Sequence, residues 1–231
     1  MTFGSLFTGI GGLDLGLERA GMECRWQVEI DPYCRKVLAK HWPNVKRFSD
    51  VKEVGAHNLS PVDLICGGFP CQPFSSASAG RRSGTEDNRW LWPEMYRAVV
   101  ELEPSWVLCE NVPHFDGLGL DQVVSDLEGS GYEVAPVLEI PACAVGCDHR
   151  RSRLWILGYS DSNCQSGRAV NAEASVLQGG GGVTGGMGAQ DGLSGRLDRH
   201  RLKGLGNAVV PQVAEYIGRL IMAAARTEET L

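Results

Sequence analysis

The sequence lacks any apolar run long enough to cross a bilayer, which takes about 20 consecutive apolar residues. Its apolar share of 43% and charged share of 22% are those of an ordinary globular protein. The N-terminus, MTFGSLFTGIGG, also lacks a basic leader followed by a small-residue cleavage pattern. We therefore expect a cytoplasmic protein that makes no contact with a membrane.

An excess of positive charge is also missing. The chain has 22 Lys and Arg residues against 28 Asp and Glu residues, a net charge of -6, which excludes bulk attraction to phosphate as the main source of nucleic-acid binding. Any such contact needs a local basic surface, although solvated loops explain the same clusters equally well. The basic clusters are Arg81 and Arg82, then Arg150, Arg151 and Arg153, and finally Arg196, Arg199, Arg201 and Lys203.

The eight cysteines lack the arrangement of a disulfide framework. They are scattered through strand-like runs such as LICGG and WVLCEN, which favours reduced thiols, and Cys24, Cys66 and Cys109 are expected in the core. A metal site is not expected either, because the spacing of the best set does not match a zinc finger or ribbon. That set is Cys143, Cys147, His149 and Cys164.

Apolar β-type runs alternate with amphipathic helical stretches up to about residue 158. This alternation predicts an α/β fold with a mostly parallel, twisted sheet and helices on both of its faces. The expected strands are 2–7, 25–29, 62–66, 106–109, 132–140 and 154–158, with one more before Asp50. The expected helices are 13–20, 32–41, 91–102 and 120–129.

The segment after Tyr159 differs in composition. It contains SDSNCQSGRAV and LQGGGGVTGGMGAQDG, where glycine costs backbone entropy and little apolar surface is available to offset that cost. We expect it to be irregular or mobile. Order resumes before a closing helix, which begins near Pro211 and has an apolar stripe. Residues 1–158 plus 203–231 are therefore expected to form one domain, and residues 159–202 a short separate segment.

The first strand leads into FTGIGG, a glycine turn that opens a helix and lets a ligand approach the backbone at the carboxyl edge of the sheet. Glu29 ends the second strand about twenty residues later, where a carboxylate can accept hydrogen bonds from both ribose hydroxyls. These two features fit a nicotinamide dehydrogenase nearly as well as another nucleotide-like cofactor. However, Asp14 occupies the place of the third glycine of G-x-G-x-x-G, which disfavours a pyrophosphate and favours S-adenosylmethionine. Asp50 could accept a hydrogen bond from adenine or could cap a helix.

The decisive stretch is PVDLICGGFPCQPFS, a strand that leads into a loop with a cysteine between two prolines. Here the sequence resembles the cytosine-5 DNA methyltransferase family, and the resemblance covers the chain except for roughly residues 159–202. It implies a Rossmann-like, S-adenosylmethionine-dependent methyltransferase fold. The matching motifs follow in family order: FTGIGG, Glu29, Asp50, GGFPCQPFS, ENV at Glu110 to Val112, RRSR at Arg150 to Arg153, and GNAVVP at Gly206 to Pro211.

The chemistry of cytosine methylation explains Cys71 and Glu110. Carbon 5 of cytosine becomes nucleophilic only after a nucleophile adds to carbon 6, and a thiolate is suited to this addition. The negative charge that the attack places on the ring is relieved by an acid at ring nitrogen 3. Glu110 fits that task, because its position after the apolar run WVLC predicts burial and a raised pKa. The target base must leave the duplex stack to be reached.

The resemblance also assigns the remaining site residues. Arg153 and Arg151 would contact the cytosine carbonyl and a nearby phosphate. The family has Gln where this chain has His149, which affects only an outer contact. The residues expected at DNA are Gln72 and Ser75, which would fill or brace the gap left by the base, and Arg81, Arg82, Arg199 and Arg201. The residues expected at the cofactor are Phe7, which would stack on adenine, and Thr8, Gly9, Ile10, Gly11, Gly12, Glu29, Ile30, Asp50, Val51, Pro70, Leu91, Asn207 and Ala208.

Members of this family usually carry a substantial recognition region between the arginine motif and the closing helix, and only residues 159–202 are available here. We predict a phage or restriction-modification DNA (cytosine-5-)-methyltransferase that uses S-adenosyl-L-methionine and releases S-adenosyl-L-homocysteine. Its partner would be double-stranded DNA, with relaxed specificity or a separate specificity or nuclease partner, and it would be a monomer in a bacterial or phage-infected cell. The alternatives are a transfer-RNA cytosine-5 methyltransferase and a non-catalytic cofactor-binding relative.

Overall fold

The computed structural model describes residues 1–70, 90–113, 115, 117–160, 164–176 and 204–228. Seven of the expected site residues lie outside this part of the chain, so their roles stay predictions. They are Cys71, Gln72, Ser75, Arg81, Arg82, Arg199 and Arg201. None of the helices in the described ranges is long and apolar enough to cross a membrane.

Within the described ranges, eight strands form one sheet. They are β1 (Thr2–Leu6), β2 (Glu23–Val28), β3 (Lys46–Phe48), β4 (Leu64–Gly67), β5 (Trp106–Asn111), β6 (Tyr132–Val134), β7 (Leu138–Ile140) and β8 (Arg153–Ser160). The helices are α1 (Gly12–Arg19), α2 (Pro32–His41), α3 (Trp92–Leu102), α4 (Leu118–Gly129), α5 (Cys164–Ser175) and α6 (Pro211–Glu228). Short 3-10 helices follow β3 and β7, at Val51–Glu53 and Ala142–Val145.

The strand order is β3-β2-β1-β4-β5-β8-β6, and β7 also pairs with β8. The five strands from β3 to β5 in this order are parallel to one another, whereas β8 is antiparallel to β5, β6 and β7. This is the mostly parallel sheet that the sequence predicted. The chain goes from β1 first to β2 on one side and later to β4 on the other. The carboxyl ends of β1 and β4 therefore flank a reversal of strand order, where open α/β sheets bind their ligands.

Helices cover both faces of the sheet. Alternate side chains of β5 enter opposite layers, with Trp106 and Leu108 in the cluster of α1, α5 and α6, and Val107 and Cys109 in the cluster of α3 and α4. All four side chains are at most 1% exposed. Burial on both faces explains why the strands read as continuous apolar runs instead of alternating with polar residues.

The prediction of a single strand over residues 132–140 is wrong, because the structure has two strands there, β6 and β7. Between the pairs Val134 with Gly158 and Leu138 with Trp155, three residues of this stretch oppose two residues of β8. Pro136 lies in the interruption, and a proline has no N–H to donate to the ladder. The extra residue is accommodated as a bulge, after which β7 resumes pairing with the same partner strand.

The irregular segment expected after Tyr159 contains a helix, so that expectation is wrong for Cys164–Ser175. Val170 and Ala174 lie one helical turn apart, are at most 2% exposed, and join the cluster that includes α6. Their spacing is that of a helix with one apolar face, a signal that the glycine-rich neighbours obscure. The division of the chain into residues 1–158 plus 203–231 and residues 159–202 stays a prediction.

Candidate active site

A cavity of about 590 Å³ opens at the carboxyl ends of β1, β2, β4 and β5. Its volume lies within the range of small-molecule sites, roughly 300–1,000 Å³. Most of the residues expected at a cofactor line it: Phe7, Thr8, Gly9, Gly12, Glu29, Ile30, Asp50, Val51, Pro70, Leu91, Asn207 and Ala208. Ile10 and Gly11 were also expected at the cofactor. They belong to the same glycine turn, but they are not among the described residues that line the cavity.

The glycine turn and Glu29 hold each other in place. The backbone N–H of Gly9 donates to Glu29 Oε2 at 2.6 Å, and the backbone N–H of Asp31 donates to Oε1 at 2.7 Å. Each carboxylate oxygen keeps a second lone pair for a ligand hydroxyl. The turn requires glycine at position 11, where φ is 85° in the left-handed region.

Asp14 ties the start of α1 to two strands. It is fully buried and accepts hydrogen bonds from Ser5 Oγ on β1 and Gln27 Nε2 on β2, both at 2.7 Å. Burial raises the pKa of this carboxyl to about 6, while the two hydrogen bonds oppose the rise. The sequence showed only that Asp14 replaces the third glycine of the motif. Its hydrogen-bond partners could not be predicted, because the register of β1 and β2 decides which side chains reach it.

Asp50 and Phe7 lie at two further points of the cavity wall. Asp50 Oδ1 accepts a hydrogen bond from the backbone N–H of Lys52 at 2.9 Å and caps the 3-10 helix that begins at Val51. The capping alternative is thus confirmed, and a contact of Asp50 with adenine stays a prediction. Phe7 has a φ of 53°, which is unusual for a bulky residue and is found where the surroundings impose it.

Glu110 and Arg153 form an ion pair in the cavity. Arg153 Nε lies 2.8 Å from Glu110 Oε1, and both residues line the cavity. Glu110 is 7% exposed. Burial raises the pKa of its carboxyl to about 7, although the positive charges of Arg153 and Arg151 act in the opposite direction. The raised pKa expected from the apolar run before Glu110 is confirmed, and the carboxyl can hold or release a proton near neutral pH.

The loop after β4 begins directly beside this carboxyl. A Cβ at Gly68 would lie 2.9 Å from Glu110 Oε2, closer than real Cβ contacts, so a side chain at this position would displace the carboxyl. Asn111 Nδ2 donates to the carbonyl of Phe69 at 3.3 Å and connects the loop after β4 to the end of β5. Asn111 lines the cavity but was not expected as a site residue, although it belongs to the ENV motif.

Three other cysteines are core residues, as expected. Cys24, Cys66 and Cys109 are buried, and burial raises the pKa of each thiol. Such thiols are poor nucleophiles at neutral pH, because the thiolate is the reactive form. Within the described residues, no group of three or more His, Cys, Asp or Glu side chains could hold a metal ion.

Arg151 contacts a different part of the structure from Arg153. Its Nη2 donates to the carbonyl oxygens of Gly206 at 2.6 Å and of Ala208 at 2.7 Å. Arg151 is not among the described residues that line the cavity, whereas Gly204, Gly206 and Val209, which were not expected as site residues, are. The structure therefore separates two arginines to which the resemblance gave similar roles.

Solved structures share this fold. A protein named as a DNA modification methyltransferase, encoded within a prophage (Escherichia coli), matches with a TM-score of 0.61 and 30% identity, over 70% of this chain and 47% of that one. Spodoptera frugiperda DNMT2 matches with a TM-score of 0.58 and 20% identity, over 69% of this chain and 50% of its own. The fold is thus the Rossmann-like fold of methyltransferases.

The family model described as C-5 cytosine-specific DNA methylase matches residues 1–178, and the chain belongs to this family. The Type II methyltransferase M2.BsuMI of Bacillus subtilis (strain 168) is 35% identical over 162 residues, which are 66% of this chain and 40% of the relative. The Type II methyltransferase M.HhaI of Haemophilus parahaemolyticus is 33% identical over 173 residues, 72% of this chain and 51% of the relative. The chain therefore spans about half the length of these relatives or less.

Proposed function

We propose that the chain is a DNA (cytosine-5-)-methyltransferase, which transfers a methyl group from S-adenosylmethionine to carbon 5 of cytosine. The observation that supports this best is the Glu110 carboxyl, with a pKa of about 7. It is paired with Arg153 in the same cavity as the glycine turn. It also lies beside the loop that leads to Cys71, since a Cβ at Gly68 would lie 2.9 Å from Glu110 Oε2.

The cavity fits S-adenosylmethionine in size and in the placement of its polar groups. Glu29 is held by two backbone N–H groups, and its carboxylate would accept hydrogen bonds from the two ribose hydroxyls. Ile30 is 69% exposed at the cavity, an apolar surface that an adenine ring would cover. When bound, this cofactor supplies a methyl group on a positively charged sulfur and leaves as S-adenosylhomocysteine.

The protein's own residues prepare the cytosine. In the proposed mechanism the Cys71 thiolate forms a bond to carbon 6 of a base turned out of the duplex, and Glu110 gives its proton to nitrogen 3. Arg153 balances the negative charge that this transfer leaves on Glu110. The electron pair becomes available at carbon 5, which accepts the methyl group. A base then removes the carbon-5 proton, the bond from carbon 6 to sulfur breaks to restore the thiolate, and the proton on nitrogen 3 returns to Glu110.

Double-stranded DNA is the proposed substrate, in a restriction-modification or prophage setting like those of the relatives described above. Only residues 159–202 lie between the strand that follows the arginine motif and the segment that leads to the closing helix, so we propose that sequence specificity is relaxed or that a separate polypeptide supplies it. Phosphate contacts from the basic clusters would position the duplex without reading its sequence. The monomeric state and the cytoplasmic location stay predictions.

Transfer of radiolabelled methyl groups by the whole purified chain tests the proposal. We expect label at carbon 5 of cytosine in duplex DNA, no label with Cys71→Ser, and wild-type labelling with Cys143→Ser as the matched control. Cys143 is a half-buried cysteine that is not among the described residues lining the cavity. Labelling of transfer RNA instead of DNA would favour the RNA alternative. Cofactor binding with transfer to neither would indicate a non-catalytic relative.

A further inference from the structure

Residues 204–210 form one side of the cavity, here called the closing wall. Gly204, Asn207 and Val209 line the cavity from this side, together with Gly206 and Ala208. The wall also meets the glycine turn directly, because a Cβ at Gly12 would lie 2.4 Å from the carbonyl oxygen of Val209. A small movement of the closing wall away from the glycine turn would therefore widen the cavity.

The Arg151 guanidinium fastens the closing wall to the rest of the protein. Nη2 donates to the carbonyl oxygens of Gly206 and Ala208, at 2.6 and 2.7 Å. These carbonyls lie at the end of the helical turn 204–207, where backbone oxygens lack partners within the helix and a cation is favoured. Gly206 and Asn207 are exposed, so burial alone does not fix this part of the wall.

The backbone around Arg151 directs its side chain away from Arg153. Arg151 has a φ of 27°, in the left-handed region that residues other than glycine rarely adopt. Such a conformation persists where the surroundings impose it. Two residues later, Arg153 reaches Glu110 instead. One short stretch of chain therefore sends one guanidinium to the catalytic carboxyl and the other to the closing wall.

We infer that Arg151 is a positioning residue that holds the closing wall against the bound cofactor, and that Arg153 alone of the two contacts the cytosine. This assignment rests on the proposed function. It predicts that Arg151 acts on the affinity for the cofactor, whereas Arg153 acts on the methyl-transfer step. Because both bonds come from the terminal nitrogen Nη2, Lys can replace them only in part, since its ammonium group ends one atom sooner along the side chain.

Titration of the whole purified chain with S-adenosylhomocysteine in a calorimeter, together with methyl-transfer kinetics, tests this assignment. Arg151→Ala should raise the dissociation constant about tenfold, the effect expected for losing hydrogen bonds to a charged group at a partly exposed site. The dissociation constant of Arg151→Lys should lie between those of Arg151→Ala and the wild type. At saturating S-adenosylmethionine, Arg151→Ala should recover most of the wild-type kcat, with the loss confined to KM.

Two other arginines provide matched controls. Arg25→Ala removes the same charge from an exposed side chain of β2 that is paired with Glu23 and lies outside the basic clusters, and it should leave affinity and kcat unchanged. Arg153→Ala should bind S-adenosylhomocysteine nearly normally and lose methyl transfer. The assignment is overturned if Arg151→Ala binds S-adenosylhomocysteine like the wild type, or if it loses kcat at saturating S-adenosylmethionine. If the alanine variant does not fold, the same two outcomes are judged on Arg151→Lys. A wild-type chain that does not bind S-adenosylhomocysteine would instead contradict the proposed function itself, and with it this assignment.

Discussion

The glycine-turn wall, residues 7–12 with Glu29, and the closing wall that meets it are held in different ways. The bond from Gly9 to Glu29 joins residues 20 positions apart in consecutive elements of the fold. The bonds from Arg151 to the closing wall join residues 55 and 57 positions apart. The first wall forms with β1, α1 and β2, whereas the second is in place only after distant parts of the chain have met.

The largest effect is expected from Glu110→Gln, which affects neither wall. Gln keeps the shape of the side chain but cannot give a proton, so kcat should fall by about 10²- to 10⁴-fold. The dissociation constant for S-adenosylhomocysteine should stay close to the wild-type value, which separates the chemical step from the two binding walls. A variant with wild-type turnover would remove Glu110 from the mechanism.

The pH profile of kcat/KM sharpens this prediction. With a pKa of about 7, Glu110 holds its proton below that pH and loses it above. Wild-type kcat/KM should therefore fall as pH rises through about 7, even though ionisation of Cys71 increases over the same range. Glu110→Gln should lack this falling limb. A limb with the same midpoint in the variant would assign the titration to another group.

Gly12→Val should break the contact between the two walls. Its side chain would collide with the carbonyl of Val209, and overpacking of this kind costs about 1–3 kcal/mol. We expect the dissociation constant for S-adenosylhomocysteine to rise roughly 10- to 100-fold, for the same range of energy. Gly129→Ala, on α4 with open space around its added Cβ, is the control and should bind normally. Wild-type affinity in Gly12→Val would contradict the closeness of the walls.

A smaller loss is expected from Glu29→Gln, which affects the glycine-turn wall alone. The amide NH₂ of Gln would face one of the N–H groups of Gly9 and Asp31 that now donate to the carboxylate. We expect roughly a tenfold loss of affinity for S-adenosylhomocysteine. Glu23→Gln, at the start of β2 and paired with Arg25 at the surface, should bind like the wild type. Equal affinities for the two variants would argue against a role of Glu29 in holding the glycine turn for the cofactor.

The smallest effect is expected from Arg97→Gln, which loosens the cavity edge near Val51. Arg97 donates to the carbonyls of Val51 at 2.9 Å and of Val54 at 2.8 Å, from a partly exposed side chain. We expect about a threefold rise in the dissociation constant for S-adenosylhomocysteine. Arg219→Gln, which removes an exposed arginine of α6 paired with Glu215, is the control. A loss larger than that of Glu29→Gln would reverse the ranking.

The difference between the walls also explains what the sequence could predict. The glycine turn and Glu29 lie close together in the chain, so their spacing carries their geometry. Glu110 and Arg153 could be placed from their motifs, because each follows or begins an apolar strand of predictable burial. The ion pair between them could not be predicted, because it depends on the antiparallel pairing of β5 with β8, and no local sequence pattern indicates that pairing.

Features that depend on distant contacts could not be predicted. The partners of Arg151 become visible only when the closing wall returns beside the glycine turn. The helix α5 was missed because its Val170 and Ala174 are few among glycine-rich neighbours, and their burial depends on packing with α6. The bulge at Pro136 interrupts a stretch that otherwise looks like one strand.

Covalent trapping on duplex DNA that contains 5-fluorocytosine tests the central claim most directly. With fluorine at carbon 5 there is no proton to remove after methyl transfer, so the bond between Cys71 and carbon 6 cannot be broken by elimination. In the presence of S-adenosylmethionine we expect a denaturant-stable adduct with the wild-type chain and none with Cys71→Ser. A chain that binds both S-adenosylhomocysteine and DNA yet forms no adduct would contradict the claim that this cavity methylates cytosine through Cys71.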